Sequence, residues 1–417
     1  MSRDLLQKLF HAAVARAQPA LAIRDHLPPR PRGKTVVIGA GKASAQMAQA
    51  FEMAWDGPLS GLVVTRYGYG TPCKTIEVIE AAHPVPDAAG EVAARRLVET
   101  VSGLAADDLV VALISGGGSA LLAAPGPGMS LADEQTVNAA LLASGAPIGV
   151  MNAIRKELSA IKGGRLAALA APARVATLVV SDVPGDDPAI VASGPTVPSA
   201  STRENARRLV DLYGIVLPLS AAALLASDKN PAPRSDDPVF AGNTVSVIAS
   251  ASLSLEAAAE QARAAGFATA ILSDAIEGEA REVAKVHAAI AREIAARNRP
   301  FAKPVVVLSG GETTVTLRGK GRGGRNAEFL LAFAIAIDGV EGISALAADT
   351  DGIDGTEDNA GAFADGGTAQ RLRAADIDPL AALADNDAYG AFATIGDLFV
   401  TGPTGTNVND FRAILIR

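Results

Sequence analysis

The sequence contains few cysteine, histidine and aromatic residues. Of its 417 residues, one is cysteine, four are histidine and 4% are aromatic. Because Cys73 has no partner in the chain, an internal disulfide is excluded, which is typical of proteins from a reducing compartment. The four histidines show no spacing typical of a metal site, and they are His11, His26, His83 and His287. We therefore expect a cytoplasmic protein whose cores contain mainly aliphatic side chains.

Long hydrophobic runs are also missing, although 49% of the residues are hydrophobic. No apolar stretch approaches the roughly 20 residues that cross a bilayer, and the first ten residues predict an amphipathic helix rather than a signal peptide. The formal net charge of −8 argues against a surface for nucleic acids or anionic membranes. The composition thus predicts neither a nucleic-acid partner nor a membrane partner.

Short apolar segments alternate with helical patterns along the chain, which indicates parallel α/β architecture. Strands are predicted over residues 35–38, 62–65, 76–80, 109–114, 176–180, 244–249, 268–272, 305–308, 344–347 and 398–400. One long helix is predicted over residues 152–171. A chain of this length suggests two domains, and the most turn-rich stretch covers residues 227–238. We therefore predict an N-terminal domain over residues 1–235 and a C-terminal α/β domain over residues 236–417.

Two glycine-rich segments of similar composition each follow a predicted strand. The first is Ser115-Gly116-Gly117-Gly118-Ser119, and the second is Ser309-Gly310-Gly311-Glu312-Thr313. A tight turn with accessible backbone N–H groups and small hydroxyls suits an oxyanion, phosphate above all. Either segment alone is compatible with a plain turn, but the two together predict a site for a polyanionic ligand.

A third turn, after residues 35–38, resembles the dinucleotide fingerprint G-x-G-x-x-G without matching it. It reads Gly39-Ala40-Gly41-Lys42-Ala43-Ser44, so that serine replaces the third glycine. Arg66 ends the next predicted strand, where an acidic residue would bind a ribose. Lys42 lies at the head of a predicted helix, where its ammonium and the helix N-terminus both attract an anion. The alternative is a packing turn with a solvated lysine.

Charged residues are concentrated in three further loops. Two acidic loops follow the predicted strands 176–180 and 344–347, and their residues include Asp182, Asp186, Asp187, Asp349, Asp351 and Asp354. Carboxylates at such strand ends can hold Mg²⁺, although Asp and Gly also form ordinary turns. Residues 319–326 contain three cations and four glycines. This segment predicts a phosphate or carboxylate clamp around Arg325, with a mobile surface loop as the alternative.

Taken in order, these motifs resemble those of the class II glycerate 2-kinases, whose C-terminal portion is the MOFRL domain. The matching segments run along the whole chain and begin at Gly39, Ala82, Ser115, Asn152, Lys162, Ser181, Ser193, Gly310, Gly323, Asp351 and Gly402. The resemblance implies a two-domain α/β enzyme with a Rossmann-like parallel sheet in its N-terminal domain. It also implies a MOFRL-type α/β domain at the C-terminus, with the MOFRL region over about 303–410, and an active site in the interdomain cleft.

The resemblance implies an activity as well. The γ-phosphoryl group of ATP would be transferred to the 2-hydroxyl of D-glycerate, with Mg²⁺ as cofactor and 2-phosphoglycerate as product. The alternative is an NAD(P)H-dependent hydroxypyruvate reductase, a label that members of this family often carry. The expected partners are therefore small molecules, D-glycerate and ATP, and the expected oligomeric state is a monomer or a homodimer.

Basic and polar residues can be assigned to this reaction. The resemblance aligns Lys42 and Arg325 with basic residues of the site, and Glu312, Asp351 and Asn407 with polar positions around it. Phosphoryl transfer needs mainly positioning and charge neutralisation, so Lys42 and Arg325 are expected to be catalytic. The turn over residues 115–119, with Glu312 and Asn407, is expected to bind ATP. Replacing either cation is expected to leave the fold intact, because a cation in a glycine-rich turn packs little.

The acceptor and the metal need further side chains. Arg155 is the candidate that grips the glycerate carboxylate, with Asp351 as a second substrate residue. Asp182, Asp187 and Asp351 could each hold Mg²⁺ or accept the hydroxyl proton, and the sequence does not distinguish these roles. We predict that Asp187 accepts the hydroxyl proton and that Asp182 and Asp351 hold Mg²⁺.

Overall fold

The computed structural model describes residues 2–183 and 185–417. Its helices are α1 (Ser2–Arg16), α2 (Pro19–Arg24), α3 (Ser44–Ala54), α4 (Ala88–Val101), α5 (Gly118–Leu121), α6 (Leu131–Ala143), α7 (Ile148–Glu157), α8 (Arg165–Ala170), α9 (Arg203–Leu212), α10 (Leu219–Leu225), α11 (Ala251–Ala264), α12 (Ala280–Arg297), α13 (Arg325–Ala336), α14 (Thr368–Ala374), α15 (Pro379–Ala384) and α16 (Ala388–Ile395). Its strands are β1 (Thr35–Ala40), β2 (Ser60–Arg66), β3 (Glu77–Ala81), β4 (Leu109–Ser115), β5 (Arg174–Val180), β6 (Thr244–Ala249), β7 (Ala268–Ile271), β8 (Ile276–Glu279), β9 (Val305–Thr314), β10 (Ile343–Asp349), β11 (Gly361–Asp365), β12 (Leu398–Phe399) and β13 (Asp410–Ile416). Within the described residues, no helix combines the length and the apolar character needed to cross a bilayer.

The chain divides into two compact units. The N-terminal unit is Pro19–Ile248, and the C-terminal unit is Ala249–Arg417 together with the chain up to Gln18. This division differs from the predicted ranges, 1–235 and 236–417. The turn-rich segment 227–238 lies inside the N-terminal unit, where buried Arg165 and half-buried Arg203 donate hydrogen bonds to its carbonyl groups.

The N-terminal unit contains a six-stranded sheet in the order β3-β2-β1-β4-β5-β6. The pairs β1–β2, β2–β3, β1–β4 and β4–β5 are all parallel. This is the strand order of dinucleotide-binding folds, in which the order reverses between β1 and β4 and ligands bind beyond the carboxyl ends of these strands. Alternate residues of β1 and β4, including Val36, Ile38, Val110 and Ala112, pack into one core cluster with Leu97 of α4. The predicted Rossmann-like parallel sheet is confirmed.

The C-terminal unit contains a seven-stranded mixed sheet. Its order is β12-β11-β10-β13-β9-β7, with β8 also paired to β9. Strand β9 separates two cores: Val305 and Val307 pack on the side of α12 and α13, and Val306 and Leu308 pack on the other. This alternation follows from the two-residue period of a strand. The predicted α/β character of this part of the chain is confirmed.

Helix α1 belongs to the C-terminal unit although it begins the chain. Its apolar face, which includes Leu6, Leu9 and Phe10, is buried in the same core cluster as Val306 and Leu308 of β9. The sequence shows that this helix is amphipathic but not which sheet its apolar face covers. The burial of that face explains why the helix groups with residues that lie more than two hundred positions away.

The single helix predicted over residues 152–171 is wrong, because the chain forms two helices there. Helix α7 ends at Glu157 and α8 begins at Arg165. Between them Gly163 and Gly164 have φ values of +64° and +84°, a backbone conformation that glycine adopts readily and that ends a right-handed helix. The apolar periodicity continues through the break, which is why the sequence pattern indicates one helix.

The second glycine-rich segment is not a turn after a strand, as the sequence suggested. Residues 309–313 lie inside β9, which continues to Thr314. Gly310 and Gly311 pair with Phe411 and Asp410 of β13, and Gly311 also pairs with Ile276 of β8. Because strands flank β9 on both sides here, its backbone groups take part in the sheet instead of forming a phosphate-binding turn.

Candidate active site

The turns after β1 and β4 contact each other in the N-terminal unit. The Lys42 N–H donates to the Gly116 carbonyl at 2.8 Å, and the Ala43 N–H donates to Ser115 Oγ at 3.0 Å. Gly41 has a φ of +140°, and a Cβ at this position would overlap Ser115. Glycine is therefore required for the close approach of the two turns. Both lie where the strand order reverses, the position at which such sheets bind their ligands.

Two basic side chains flank Gly117 in the second turn. A Cβ built on Gly117 would lie 3.1 Å from Nε2 of His83 and 3.2 Å from Cγ of Lys42. His83 follows β3, so its side chain comes from the same carboxyl edge of the sheet. Burial lowers the pKa of His83, and the positive charges of Lys42 and Arg66 lower it further. The lowered pKa favours the neutral form of the imidazole.

Asp182 also lies at this turn. Its carboxylate would overlap a Cβ added to Gly116, so Asp182, which follows β5, faces the backbone of the predicted phosphate-binding segment. Asp187 is exposed, and its Oδ1 accepts a hydrogen bond from the Ala189 N–H at 2.9 Å within its own loop. The structure thus brings Asp182 to the turn, whereas the described contacts of Asp187 are local.

A chain of polar contacts joins Arg155 to the same turn. Arg155 donates through Nε to Asn138 Oδ1 at 2.8 Å and through a terminal nitrogen to Asn152 Oδ1 at 3.4 Å. Ser193 Oγ donates to the same oxygen of Asn152 at 3.4 Å and lies 2.9 Å from Ser119 Oγ. The glycine-rich turn and the predicted carboxylate-binding arginine therefore belong to one hydrogen-bonded network.

Arg155 has no carboxylate in direct contact within the described part of the chain. Among the described residues, no carboxylate oxygen lies within 4.0 Å of its guanidinium, and burial lowers its pKa, with Glu134 partly opposing the shift. Its buried neighbours Lys162 and Arg165 do have carboxylate partners, Glu134 at 3.2 Å and Glu157 at 3.4 Å. A half-buried guanidinium that contacts only neutral oxygens favours the binding of an anion.

Arg325 has the opposite environment in the C-terminal unit. It is the first residue of α13, and its guanidinium contacts three carboxylates: Asp410 at 2.6 Å, Asp349 at 2.6 Å and Glu312 at 3.0 Å. These come from β13, β10 and β9, and Asp410 is the register partner of Asp349. Burial alone would lower the pKa of Arg325, but the three carboxylates outweigh it and raise the pKa.

A buried carboxylate fixes the start of α13. Asp354 accepts hydrogen bonds from the backbone N–H groups of Asn326 at 3.0 Å and Ala327 at 2.8 Å. These are orphan donors in the first turn of the helix. Burial raises the pKa of Asp354 to about 6, against the lowering effect of the two backbone hydrogen bonds. Burial raises the pKa of Asp349 as well, while Arg325 opposes this shift.

The comparisons with known proteins place this geometry in a family. Residues 5–226 match a family described as a domain of unknown function, DUF4147, and residues 305–410 match the MOFRL family. A D-glycerate 2-kinase of Thermotoga maritima is 40% identical over 416 residues, which cover 99% of this chain and 98% of that protein. The crystal structure of a glycerate kinase from Thermotoga maritima superposes with a TM-score of 0.91 at 38% identity, covering 99% of both chains. The chain belongs to the glycerate kinases of the MOFRL family.

A further relative carries another name. A protein of Agrobacterium vitis, provisionally named a hydroxypyruvate reductase, is 54% identical over 418 residues, covering 100% of this chain and 94% of the relative. The family assignment confirms the resemblance drawn from the motifs, and the MOFRL match agrees with the predicted region of about 303–410. This glycerate kinase family member therefore has relatives under both of the names that the sequence suggested.

Two of the polar residues predicted for the kinase site make turn contacts. Asp351 Oδ1 accepts from the Ile353 N–H at 2.8 Å, and Asn407 Oδ1 accepts from the Asn409 N–H at 2.9 Å. Both side chains are half-buried, and the charge of Asp351 contributes to the raised pKa of Asp349. Within the part of the chain that the structure describes, no three His, Cys, Asp or Glu side chains converge as a metal-binding cluster.

Sequence reasoning missed the buried pair Asp410 and Arg412. Arg412 donates to Asp410 Oδ2 at 2.5 Å and to Thr313 Oγ1 at 2.9 Å, and its guanidinium lies 5.0 Å from the ring centroid of Phe329. Both side chains are buried. One signal could have found them, since two opposite charges two residues apart in an apolar strand share a face and must be paired there.

Proposed function

We propose that this protein transfers the γ-phosphoryl group of ATP to the 2-hydroxyl of D-glycerate in an Mg²⁺-dependent reaction. The observation that carries the proposal is the contact between Lys42 and the turn at residues 115–119. It lies at the carboxyl ends of β1 and β4, in a chain whose relatives include a D-glycerate 2-kinase. A glycine-rich turn beside a lysine is suited to a polyphosphate.

In this proposal the turn binds ATP phosphates and Lys42 offsets negative charge on the transferred group. Electrostatic stabilisation of this kind is the main contribution that a protein makes to phosphoryl transfer. Lys42 suits the role because, among the described residues, no carboxylate lies within 4.0 Å of its ammonium. Glu312 and Asn407 stay predictions as further ATP contacts.

Arg155 is proposed to bind the carboxylate of D-glycerate. The guanidinium fork matches a carboxylate in two parallel hydrogen bonds, and its described partners, Asn138 and Asn152, are neutral. Asp351 remains a predicted substrate residue. Binding at Arg155 would favour acceptors that carry a carboxylate, because a neutral alcohol would leave the half-buried guanidinium without a bound anion.

Arg325 can act only through one edge of its guanidinium. Asp349 and Asp410 are buried and hold two of its nitrogens, whereas Glu312 is exposed and holds the third. We propose that a phosphate oxygen replaces Glu312 on the guanidinium, because an exposed carboxylate is readily rehydrated and the buried ones are not. The predicted contact of Glu312 with ATP is then with a group other than this phosphate.

Mg²⁺ fits Asp182 on chemical grounds. Protein-bound Mg²⁺ usually takes one or two carboxylates together with phosphate oxygens, so a larger acidic cluster is unnecessary. The Asp182 carboxylate lies against Gly116 of the proposed phosphate-binding turn. When bound, the ion would supply positive charge to the phosphates. Asp351 as a second metal ligand and Asp187 as acceptor of the hydroxyl proton both stay predictions.

The reductase alternative has less support from the residues. Ser44 occupies the position of the third fingerprint glycine, is fully buried and donates through Oγ to the Leu113 carbonyl at 3.0 Å. Strand β2 ends in Arg66, so the acid that would bind the adenosine ribose of NADH is missing there, whereas an arginine at this position is compatible with the 2′-phosphate of NADPH. This position therefore argues against NADH alone. We propose a cytoplasmic location, where ATP is available, and a monomer or homodimer as the acting species.

The proposal is tested by measuring ADP release with D-glycerate, L-glycerate and hydroxypyruvate as separate acceptors. We expect release only with ATP, a divalent cation and D-glycerate, and none after addition of EDTA. Parallel assays follow NADH and NADPH absorbance with hydroxypyruvate. The kinase proposal would be wrong if either cofactor is oxidised and ATP is not consumed in the presence of D-glycerate. The protein would then be a hydroxypyruvate reductase.

A further inference from the structure

His83 has a position that the proposed reaction has not yet used. It follows β3, and its Nε2 lies 3.1 Å from the point where a Cβ of Gly117 would be, on the side also occupied by Lys42. Gly117 has a φ of +80°, so the turn exposes bare backbone towards these two side chains. A side chain at position 117 would fill the space that separates the turn from His83 and Lys42.

The ring of His83 lacks a partner among the described residues. Neither of its nitrogens makes a hydrogen bond there, whereas His26 contacts the Ala22 carbonyl and His287 contacts both the Val283 carbonyl and Ser309. A half-buried imidazole has a ring N–H that can donate a hydrogen bond. Because this N–H has no partner and lies beside a lysine, it is suited to binding an anion. His83 therefore resembles Arg155 in having hydrogen-bonding capacity that the protein itself does not satisfy.

The charges that act most strongly on the His83 ring are positive. Lys42 at the head of α3 and Arg66 at the end of β2 both act on the ring. Two carboxylates lie on neighbouring elements. Asp87, which caps α4, accepts from the Tyr67 hydroxyl at 2.8 Å and the Gly90 N–H at 3.0 Å. Asp182 lies against Gly116.

We propose that His83 contacts the nucleotide, donating a hydrogen bond from its ring to a phosphate oxygen of ATP held on the turn at residues 115–119. This inference rests on the proposed function and adds a phosphate ligand to it. In the proposed site Lys42 supplies charge and His83 supplies a directed donor. The group transferred and the proton of the acceptor do not pass through His83.

Two substitutions test the proposal. His83→Ala removes the donor, and His83→Gln keeps an amide N–H near the position of Nε2. We expect His83→Ala to weaken binding of a non-hydrolysable ATP analogue with Mg²⁺, measured by calorimetry, by about 10- to 100-fold, as for the loss of a hydrogen bond to a charged group. His83→Gln should recover part of this loss. His26→Gln, in the same unit, is the matched control and should bind like the wild type.

NMR of the imidazole provides a readout that a structural role would not move. The pKa of His83 is expected to rise when the analogue binds, because phosphate charge stabilises the imidazolium, while the ring signals of His26 stay in place. Unchanged analogue affinity in both His83 variants, or a His83 titration that ignores the analogue, would overturn the proposal. If His83→Ala does not fold, the analogue affinity of His83→Gln and the NMR titration of the wild type still test whether His83 contacts the nucleotide.

The two proposals fail in different ways. Wild-type protein that binds the analogue without phosphorylating D-glycerate would refute the proposed function and leave the His83 contact supported by its own titration. Wild-type protein that phosphorylates D-glycerate, with His83 variants of unchanged nucleotide affinity, would refute the His83 contact alone. Wild-type protein that does not bind the analogue would refute both.

Discussion

Lys42 and Arg325 are two cations assigned to the same chemistry, but their surroundings differ. Lys42 sits at a turn and, within the described residues, has no carboxylate within 4.0 Å. Arg325 contacts three carboxylates, of which Asp349 and Asp410 are buried. A free cation can be removed with little structural effect, whereas a cation that neutralises buried carboxylates cannot.

Lys42→Ala is expected to lower kcat by roughly 10²-fold or more with a smaller effect on KM, because its charge acts on the transition state. The thermal midpoint should stay within the range of ordinary surface substitutions. Steady-state kinetics and a thermal melt check both statements. Lys74→Ala, an exposed lysine of the same unit, is the matched control. Equal kcat in the two variants would show that Lys42 is a solvated charge without a catalytic role.

Arg325→Ala is expected to destabilise the protein, which reverses the expectation from the glycine-rich sequence around it. Removing one partner of a buried ion pair costs about 3–5 kcal/mol because the remaining charge stays buried. Arg322→Ala is the control from the same loop, since its guanidinium is largely exposed and pairs with one carboxylate, Glu357. Denaturant unfolding of the two variants compares the free energies directly. Equal stabilities would show that Asp349 and Asp410 do not need the guanidinium.

At the scale of elements, similar residues form different structures in the two glycine-rich segments. Ser115 ends β4 and the following glycines leave the sheet, whereas β9 continues through Ser309 to Thr314. The difference arises from neighbours, because β8 and β13 pair with β9 at Gly311. Local sequence predicts a strand followed by small residues in both cases. Only the tertiary pairing decides whether those residues turn.

Gly116→Ala should damage the turn without unfolding the protein. A Cβ there would overlap the Asp182 carboxylate, and displacing either group by about an ångström can cost roughly 10²-fold in rate. Gly149→Ala is the control, because a Cβ in helix α7 meets nothing within 4 Å and alanine favours a helix. Comparing kcat/KM of the two variants tests whether activity depends on the close contact between Gly116 and Asp182. Full activity of Gly116→Ala would show that Asp182 can move away freely.

The start of α13 should make stability depend on pH. The pKa of Asp354 is about 6 in the folded protein against 3.8 as its ordinary value, so the folded state holds this proton more tightly. The stabilising contribution is therefore complete below about pH 4 and is lost as the pH rises through 6. The shift of about 2 units corresponds to roughly 3 kcal/mol.

Asp354→Asn isolates this effect, because the asparagine does not titrate. The stability of the wild type relative to Asp354→Asn should fall between pH 4 and pH 7, measured by denaturant unfolding followed by circular dichroism. Other carboxylates titrate in both proteins, so their contributions largely cancel in the difference. A difference in stability that is independent of pH would mean that Asp354 has the same pKa in the folded and the unfolded protein.

At the scale of the whole molecule, the α/β class and most strands could be predicted from apolar periodicity and turn residues. The division of the chain could not, because it depends on which sheet α1 covers and on where residues 227–238 are anchored. The motifs predicted a turn at Lys42 and another at residues 115–119, each after a strand, but they did not predict the hydrogen bonds that join the two turns. They missed Asp410 and Arg412, since a buried ion pair is defined by contacts between distant strands.

The central claim is that this chain phosphorylates D-glycerate at its 2-hydroxyl, and phosphorus NMR of the reaction product tests it most directly. The protein is incubated with ATP, Mg²⁺ and D-glycerate, and the proton-coupled ³¹P spectrum is recorded. A phosphate on C2 is coupled to the single proton of that carbon, so the account predicts that the product signal is a doublet. A triplet would place the phosphate on C3, and the absence of any new phosphate ester while ATP stays intact would contradict the kinase assignment itself.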